Sequence, residues 1–263
     1  MIAVGVIGAC GKMGKMIIEN ILKHEGLTLS SAFDRSHIGK DVGEIAQIGK
    51  LGVLISDISD IQSVLKETNT KVVIDFTIAK ATIENVPKVA ECGVNLVIGT
   101  TRFSDKEKVN LNEVILKNNI SAIISPNYSV GVNVFFNLLK EASKQLSDND
   151  IEIIEIHHNQ KKDAPSGTAL KAANIINEVI SGNEFVYGRE GMSLRGKEIG
   201  IHAVRGGDVV GDHTVIFMGN GERIEIKHQV HTRATFASGA VKAAYLICDK
   251  KPRLYSMEEL FSN

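Results

Sequence analysis

The chain has 263 residues, of which 43% are hydrophobic and 23% charged, with a net charge of -1. That length makes one large domain or two modest ones, and the composition is that of a folded protein rather than a disordered one. The near-zero charge gives no electrostatic reason to expect nucleic acid or a membrane surface as partner. The cysteines Cys10, Cys92 and Cys248 lie far apart, with no CxxC, and form neither a disulfide framework nor a metal set. A reducing, cytoplasmic setting fits them best. The start MIAVGVIGAC lacks the pattern of a signal peptide, and no apolar stretch approaches the ~18 residues of a membrane span.

In chain order, residues 3–7 read as a short buried strand. Residues 11–22 follow as a helix, with Met13, Ile17, Ile18 and Ile21 at helical spacing. Strand 27–33 comes next, then a weaker strand at 53–55 and a short helix at 58–66. Strand 72–76, VVIDF, precedes a helix over 81–92 that ends at Gly93. After strand 96–98, Ser104 and Glu107 form a capping box that opens a helix to Asn118, and 120–125 is another strand. Strands alternating with helices predict an α/β fold, a parallel sheet with helices on both faces. Past Pro126 the pattern changes. Helix 132–146, strand 151–156 and helix 168–180 are followed by strands at 199–205, 213–218 and 223–228, with a hairpin signal at Asn220-Gly221. That is an α+β pattern with a mixed open sheet, so a second domain begins near Val130. Residues 238–248 form a final helix.

Gly8, Gly11 and Gly14 form GxxGxxG between the first strand and the first helix, a variant of the dinucleotide fingerprint of a Rossmann-type, doubly wound sheet. A glycine after the strand permits the turn, bare backbone lets a pyrophosphate approach, and the helix N-terminus presents free N–H groups to it. A tight turn without a ligand would look the same. Asp34, 20 residues past Gly14, ends the second strand, where an acidic residue can bond the ribose hydroxyls of NAD. The adjacent Arg35 can meet the 2′-phosphate of NADP, so either cofactor is open. Lys12 can assist the phosphates or face solvent. Three more strand ends share that crevice: Asp75-Phe76-Thr77, Gly99-Thr100-Thr101 and Ser125-Pro126-Asn127-Tyr128.

The most unusual segment is EIHHNQKKDAPSGT at 155–168, where a buried strand stops in two histidines and two lysines and a helix then opens. Ser166 or Thr168 can cap that helix, and its first N–H groups can hold an anion. With His157, His158 and Lys161 above it, the result is a cationic pocket that suits a carboxylate and can move protons. Lys162 reads as solvated. Both histidines can serve one pocket only if the strand bends or ends at His157. His24, His37, His202, His213, His228 and His231 read as structural or exposed. Arg205-Gly206-Gly207-Asp208 and Gly211-Asp212-His213-Thr214 read as a mobile, glycine-rich connection between strands.

Taken together, these segments resemble the dihydrodipicolinate reductases, now called 4-hydroxy-tetrahydrodipicolinate reductases, enzymes of the diaminopimelate route to lysine. The resemblance rests on GACGKMG at 8–14, Asp34-Arg35, DFT at 75–77, GTT at 99–101, SPNYSVGVN at 125–133, EIHHNQKKDAPSGTAL at 155–170, RGGDVVGDHT at 205–214 and FASGAV at 236–241. It implies a two-domain, cytoplasmic oxidoreductase, a homotetramer that uses NADH or NADPH and needs no metal. Its substrate would be a small cyclic dicarboxylate, which receives hydride at ring carbon 4. By position, His157 resembles the proton donor and acceptor and Lys161 the proton donor, while His158 with Ser166, Gly167 and Thr168 would hold the substrate's carboxylates. Gly8, Ala9, Cys10, Gly11, Lys12, Met13, Asp34, Arg35, Gly99, Thr100, Thr101, Ser125, Pro126, Asn127 and Tyr128 would line the cofactor. The family also returns its last helix to the cofactor domain, which implies residues 1–129 plus 238–263 for that domain and 130–237 for substrate binding and tetramerisation. The chain departs from the family in having Arg102 where a further glycine is common, and Asn159 and Gln160 where a basic residue and a histidine are frequent.

Two other possibilities follow from the residues. A related amino-acid dehydrogenase, for example on aspartate, shares the glycine loop but has no need of the Lys161 and Ser166-Gly167-Thr168 site. A protein that binds NAD(P) without turnover needs no proton-transfer groups at all.

Overall fold

Alternation of buried strands with amphipathic helices builds the first half of the chain, as its periodicity dictates. The computed structural model describes residues 1–261; the last two residues of the expected first domain, Ser262 and Asn263, lie outside the described residues. The described chain forms two units, residues 1–129 with 234–261, and residues 130–233.

The first unit opens with β1 (Ile2–Ile7), α1 (Lys12–Leu22), β2 (Leu27–Phe33), α2 (Val42–Ala46) and β3 (Ile55–Ser56). It continues with α3 (Ile61–Glu67), β4 (Val72–Asp75), α4 (Ala79–Glu91), β5 (Asn95–Ile98), α5 (Asp105–Lys117) and β6 (Ala122–Ile124). The second unit holds α6 (Val130–Gln145), β7 (Asp150–His157), α7 (Gly167–Ile180), β8 (Glu184–Tyr187), β9 (Glu198–Arg205), β10 (Gly211–Gly219) and β11 (Glu222–Val230). The chain then re-enters the first unit through α8 (Ala234–Ile247), β12 (Leu254–Tyr255) and α9 (Met257–Phe261). That helix begins at Ala234, four residues before the expected 238, which also moves the start of the returning segment.

The first sheet has the order β12-β6-β5-β4-β1-β2-β3. All its pairings are parallel. The order reverses at β1, between β4 and β2, which is where a doubly wound sheet opens a crevice at its strands' carboxyl ends. Ile17, Ile18 and Ile21 on α1 and Ala237, Ala240, Val241 and Ala244 on α8 bury one face of this sheet. Val86, Val89, Leu111 and Ile115 on α4 and α5 bury the other. The second sheet is mixed, in the order β11-β10-β7-β9-β8. β11, β10 and β7 are antiparallel neighbours, while β7, β9 and β8 run parallel.

Four elements escape the sequence pattern because each is too short to show a period. α2 has five residues and depends on Asp41, whose carboxylate accepts the N–H groups of Gly43, Glu44, Leu51 and Gly52. β8 is an edge strand of four residues, β12 has two, and α9 has five.

The approach of α1 to β1 is set at Gly14, where a Cβ would run into the carbonyl oxygen of Gly8 and the backbone of Ala9. Backbone cannot yield as a flexible side chain can. Gly14→Ala is therefore expected to lower the unfolding free energy by about 1–3 kcal/mol, measured as a shift of the first urea transition at unchanged slope.

Candidate functional site

In the first unit a cavity of about 400 Å³ opens at the carboxyl ends of β1, β2 and β4, lined by Gly8, Gly11, Asp34, Arg35, Phe76, Thr77 and Lys80 among others. The glycine loop is held from β2: the N–H groups of Gly8 and Ala9 both donate to the Phe33 carbonyl, at 2.9 and 3.2 Å. Gly8 takes the left-handed backbone, φ +78°, that a side chain would oppose. Asp34 closes the loop from the other side. Its Oδ2 accepts the Cys10 N–H at 2.9 Å, and its Oδ1 accepts the Ser36 N–H at 3.1 Å and the Ser36 hydroxyl at 2.9 Å. Burial alone would raise the Asp34 pKa, but these bonds outweigh it and hold it below the usual carboxylate value.

The neighbouring strand ends are knitted together. Asp75, fully buried, accepts the Thr77 hydroxyl at 2.6 Å and its N–H at 2.9 Å. The Thr82 hydroxyl donates to Thr100 at 2.8 Å, and the Gly99 N–H donates to the Asp75 carbonyl at 2.9 Å. A Cβ on Gly99 would enter the Phe76 ring, so β4 and β5 loops touch there. Burial pushes the Asp75 carboxyl pKa up, against the Thr77 bonds, and its Oδ2 has no partner among the described residues. Arg102 adopts φ +69°, a left-handed conformation that favours glycine, with its side chain exposed. The Ser125 hydroxyl donates to the Asn127 carbonyl at 2.8 Å, folding the loop after β6.

Not every expected cofactor residue offers a side chain to this crevice. Tyr128 is 1% exposed and packs in the core, its hydroxyl donating to the carbonyls of Ile98 at 2.8 Å and Ile123 at 3.2 Å. The Ala9 side chain is also core, so only its backbone faces the loop. Lys12, Thr101 and Pro126 are exposed and Met13 is half-buried. Lys80, on the wall with Arg35, carries no motif and was not expected. The donor set fits a dinucleotide: bare backbone at Gly8 and Gly11 for a pyrophosphate, and a carboxylate beside a guanidinium for the adenosine ribose. Among the described residues no cluster of His, Cys, Asp and Glu could hold a metal, and no helix is long and apolar enough to cross a membrane.

The second unit brings the polar run together. β7 ends at His157, so His158 is free of the strand's alternation. The His158 N–H donates to the Val209 carbonyl at 2.7 Å, the Gly206 N–H to the His157 carbonyl at 3.0 Å, and the Asn159 N–H to the Gly207 carbonyl at 3.2 Å. The glycine-rich segment expected as a mobile connection is thus hydrogen-bonded to the histidine segment. It is flanked by Arg205, Gly211 and His213.

Strand alternation puts Ile151, Ile153, Glu155 and His157 on the buried face of β7. The Glu155 side chain is fully buried, and its Oε2 lies 2.5 Å from the Nδ1 of His157. Arg205 donates to both Glu155 oxygens, at 2.7 and 2.9 Å, and the Ser166 N–H donates to Oε1 at 3.0 Å. Burial alone would raise the Glu155 pKa, but the bonds from His157, Arg205 and Ser166 hold it down at about 2. His213 stands opposite Glu155 on β10. Its ring meets that of His157 edge-on at 5.1 Å, and its Nε2 lies 3.1 Å from the Ser166 hydroxyl. Burial, helped by the proximity of His157, holds its pKa down at about 4.

Ser166 caps α7 by accepting the Ala169 N–H at 3.2 Å. The first-turn N–H groups of a helix have no intrahelical partner, so those of Gly167 and Thr168 face outward. Lys161 is one-fifth exposed and paired with Asp163 at 2.8 Å. Lys162 is exposed, as expected. Glu155, Arg205 and His213 were missed. The available signal was the period of two, which sets Glu155 on the face of His157.

Comparisons with known proteins place these features in a family. The model described as "Dihydrodipicolinate reductase, N-terminus" matches residues 2–128, and that described as "Dihydrodipicolinate reductase, C-terminus" matches residues 131–261. The chain is 64% identical to the 4-hydroxy-tetrahydrodipicolinate reductase of Methanococcoides burtonii, over all of both chains. It is 59% identical to that of Methanosarcina mazei, over 99% of each. Among solved structures it is similar to a dipicolinate-bound dihydrodipicolinate reductase from a Paenisporosarcina species, with a TM-score of 0.82 and 27% identity over the whole of both chains.

The two perturbed groups set an acid limit on stability. The folded state lowers the His213 pKa from 6.5 to about 4, so its neutral form stabilises the fold above pH 6.5 and that contribution is lost as the pH falls toward 4. Glu155, lowered from 4.5 to about 2, loses its contribution in the next window down. The unfolding free energy is expected to drop on the order of 3 kcal/mol between pH 7 and pH 4 through His213. Urea titrations of wild type and His213→Gln across that range check this, since the variant should lack most of the slope.

Proposed function

We propose, because the chain belongs to the dihydrodipicolinate reductase family, that it reduces 4-hydroxy-tetrahydrodipicolinate to tetrahydrodipicolinate with NADH or NADPH, in the diaminopimelate route to lysine. The observation that carries this reading is the second-unit cluster, where Lys161 and the outward N–H groups of Gly167 and Thr168 accompany two histidines within one short segment. A dinucleotide-binding protein without turnover has no use for such a group.

In this reading the pyrophosphate would lie against the bare backbone of Gly8 and Gly11 and the first-turn N–H groups of α1, and Asp34 and Arg35 would hold the adenosine ribose. When bound, the nicotinamide would supply a hydride to the substrate ring, whose 4-hydroxyl leaves as water. His158, Gly167 and Thr168 hold the substrate's carboxylates, with helix N–H groups and positive charge matched to an anion, while Ser166, expected among them, is buried and caps the helix that presents those N–H groups. Lys161 donates a proton, released from Asp163 as the substrate carboxylate arrives. His157 gives or takes a proton at its ring. The residue set needs no metal. The outer face of the second sheet carries Ile154, Ile156, Ile216 and Met218, which are partly exposed to solvent in a single chain, and Val204, which is exposed. A homotetramer that pairs these sheet faces buries them, and light scattering of the purified protein tests that state.

The decisive assay offers the product of dihydrodipicolinate synthase with NADH and NADPH in parallel. Oxidation of either cofactor in step with consumption of that product is expected; none with either would overturn the reading. Lys161→Ala is expected to lower kcat by about 10²–10⁴ and to leave the Kd for cofactor nearly unchanged. Wild-type turnover in that variant removes Lys161 from the reaction. Arg35→Ala should weaken NADPH more than NADH, because only NADPH carries the 2′-phosphate; equal weakening assigns Arg35 to adenine or solvent instead.

A further inference from the structure

We propose that Glu155 is the positioning residue of His157: its buried carboxylate accepts a hydrogen bond from the Nδ1–H of the imidazole and leaves Nε2 as the atom that exchanges a proton with the substrate. This rests on the reductase reading for the identity of the substrate, though not for the ring geometry.

The argument starts from the strand. A period of two brings residues i and i+2 to one face, so Glu155 and His157 share the buried side of β7, with Oε2 and Nδ1 2.5 Å apart. Three further bonds reach the same carboxylate, and every one comes from a donor: two from Arg205 and one from the Ser166 backbone. A carboxylate surrounded by donors stays ionised and can only accept. The ring nitrogen facing it must therefore carry a proton, which fixes the tautomer of the neutral imidazole with its lone pair on Nε2. A buried carboxylate that holds a reacting imidazole through Nδ1–H fixes its tautomer and orientation, and losing it costs orders of magnitude in rate.

The far side of the ring, in a residue 8% exposed, lies against Gly211. A Cβ on Gly211 would stand 3.0 Å from Nε2 and 3.4 Å from the adjacent ring carbon. Only glycine leaves that approach clear. The groups that face the pair are Arg205 from β9, His213 from β10 and the Ser166 N–H at the start of α7. The Asp163 carbonyl, next to the Lys161–Asp163 pair, accepts from Arg205 at 2.8 Å and holds the guanidinium in place. His213 stays neutral near pH 7 because burial suppresses its protonation. Glu155 and Arg205 cancel in charge, so proton uptake by His157 is the step that changes the charge of the cluster.

Nuclear magnetic resonance of the wild-type protein carrying ¹⁵N-histidine tests this without a variant. The neutral His157 ring is expected to be protonated at Nδ1 and bare at Nε2; the opposite tautomer overturns the proposal. Glu155→Gln and Arg205→Met supply the kinetic test. Loss of the anion should move the His157-dependent limb of the kcat/KM profile to lower pH, and loss of the cation should move it to higher pH. Glu155→Gln should also lower kcat by about 10²–10⁴ with little change in cofactor Kd. A purely structural pair would shift neither limb, or both the same way, and that result overturns the proposal. A wild-type chain inactive on 4-hydroxy-tetrahydrodipicolinate overturns the substrate assignment alone, and the ring tautomer still decides this one.

Discussion

The second unit is organised around one buried carboxylate. Moving a carboxylate out of water costs several kcal/mol unless charge and hydrogen bonds offset it. Glu155 obtains that offset from three separate elements: β9 through Arg205, the start of α7 through the Ser166 N–H, and its own strand through His157. Each donor has to arrive in register, which is why β7, β9 and the α7 cap converge here and nowhere else in the sheet. Apolar residues in place of Glu155, His157 and Arg205 together would serve the core as Ile151 and Ile153 do. The charge is therefore a cost that packing does not require, and its justification lies in the ring it faces.

The first unit solves a related problem with backbone instead. Asp34 ties the glycine loop to the end of β2 by accepting the Cys10 N–H, and Ser36 satisfies its other oxygen. Both carboxylates are ionised and anchored by N–H groups. The difference is in what they leave exposed. Asp34 steadies a stretch of bare peptide, whereas Glu155 steadies a titratable ring. Recognition of a dinucleotide asks for shape and N–H groups in fixed places. Proton transfer asks for one nitrogen with a known protonation state.

The parallel sheet, the glycine loop and the change of pattern near residue 130 were legible because each has a period or a steric requirement that sequence displays. The histidine segment was legible for its composition, an abrupt polar run after a buried strand. Its partners were not. Glu155 reads as one more charge in a strand that also holds Glu152, and only the alternation of faces separates the buried carboxylate from the half-buried one. Arg205 and His213 lie 48 and 56 residues beyond His157, and their arrival depends on the β9–β7–β10 order that no local pattern encodes. The Tyr128 side chain misleads in the opposite direction. A phenol at a strand end suggests a ligand, but this one turns inward and satisfies two carbonyls of β5 and β6.

Two helix starts show how far one device can be tuned. α1 is preceded by Gly11, which offers no side-chain cap, so its first-turn N–H groups are left without one. α7 begins at Ser166, whose hydroxyl takes the Ala169 N–H while Glu155 takes the Ser166 N–H. What is left there is the pair at Gly167 and Thr168. An open start suits a bridging diphosphate, which spreads its charge over many oxygens. A start narrowed to two N–H groups, with Lys161 close by in sequence, suits the two oxygens of a single carboxylate. The cap that narrows it is bonded on one side to Glu155 and on the other to His213, so Ser166 joins the residues that would hold the substrate's anion to those that set the proton state of His157.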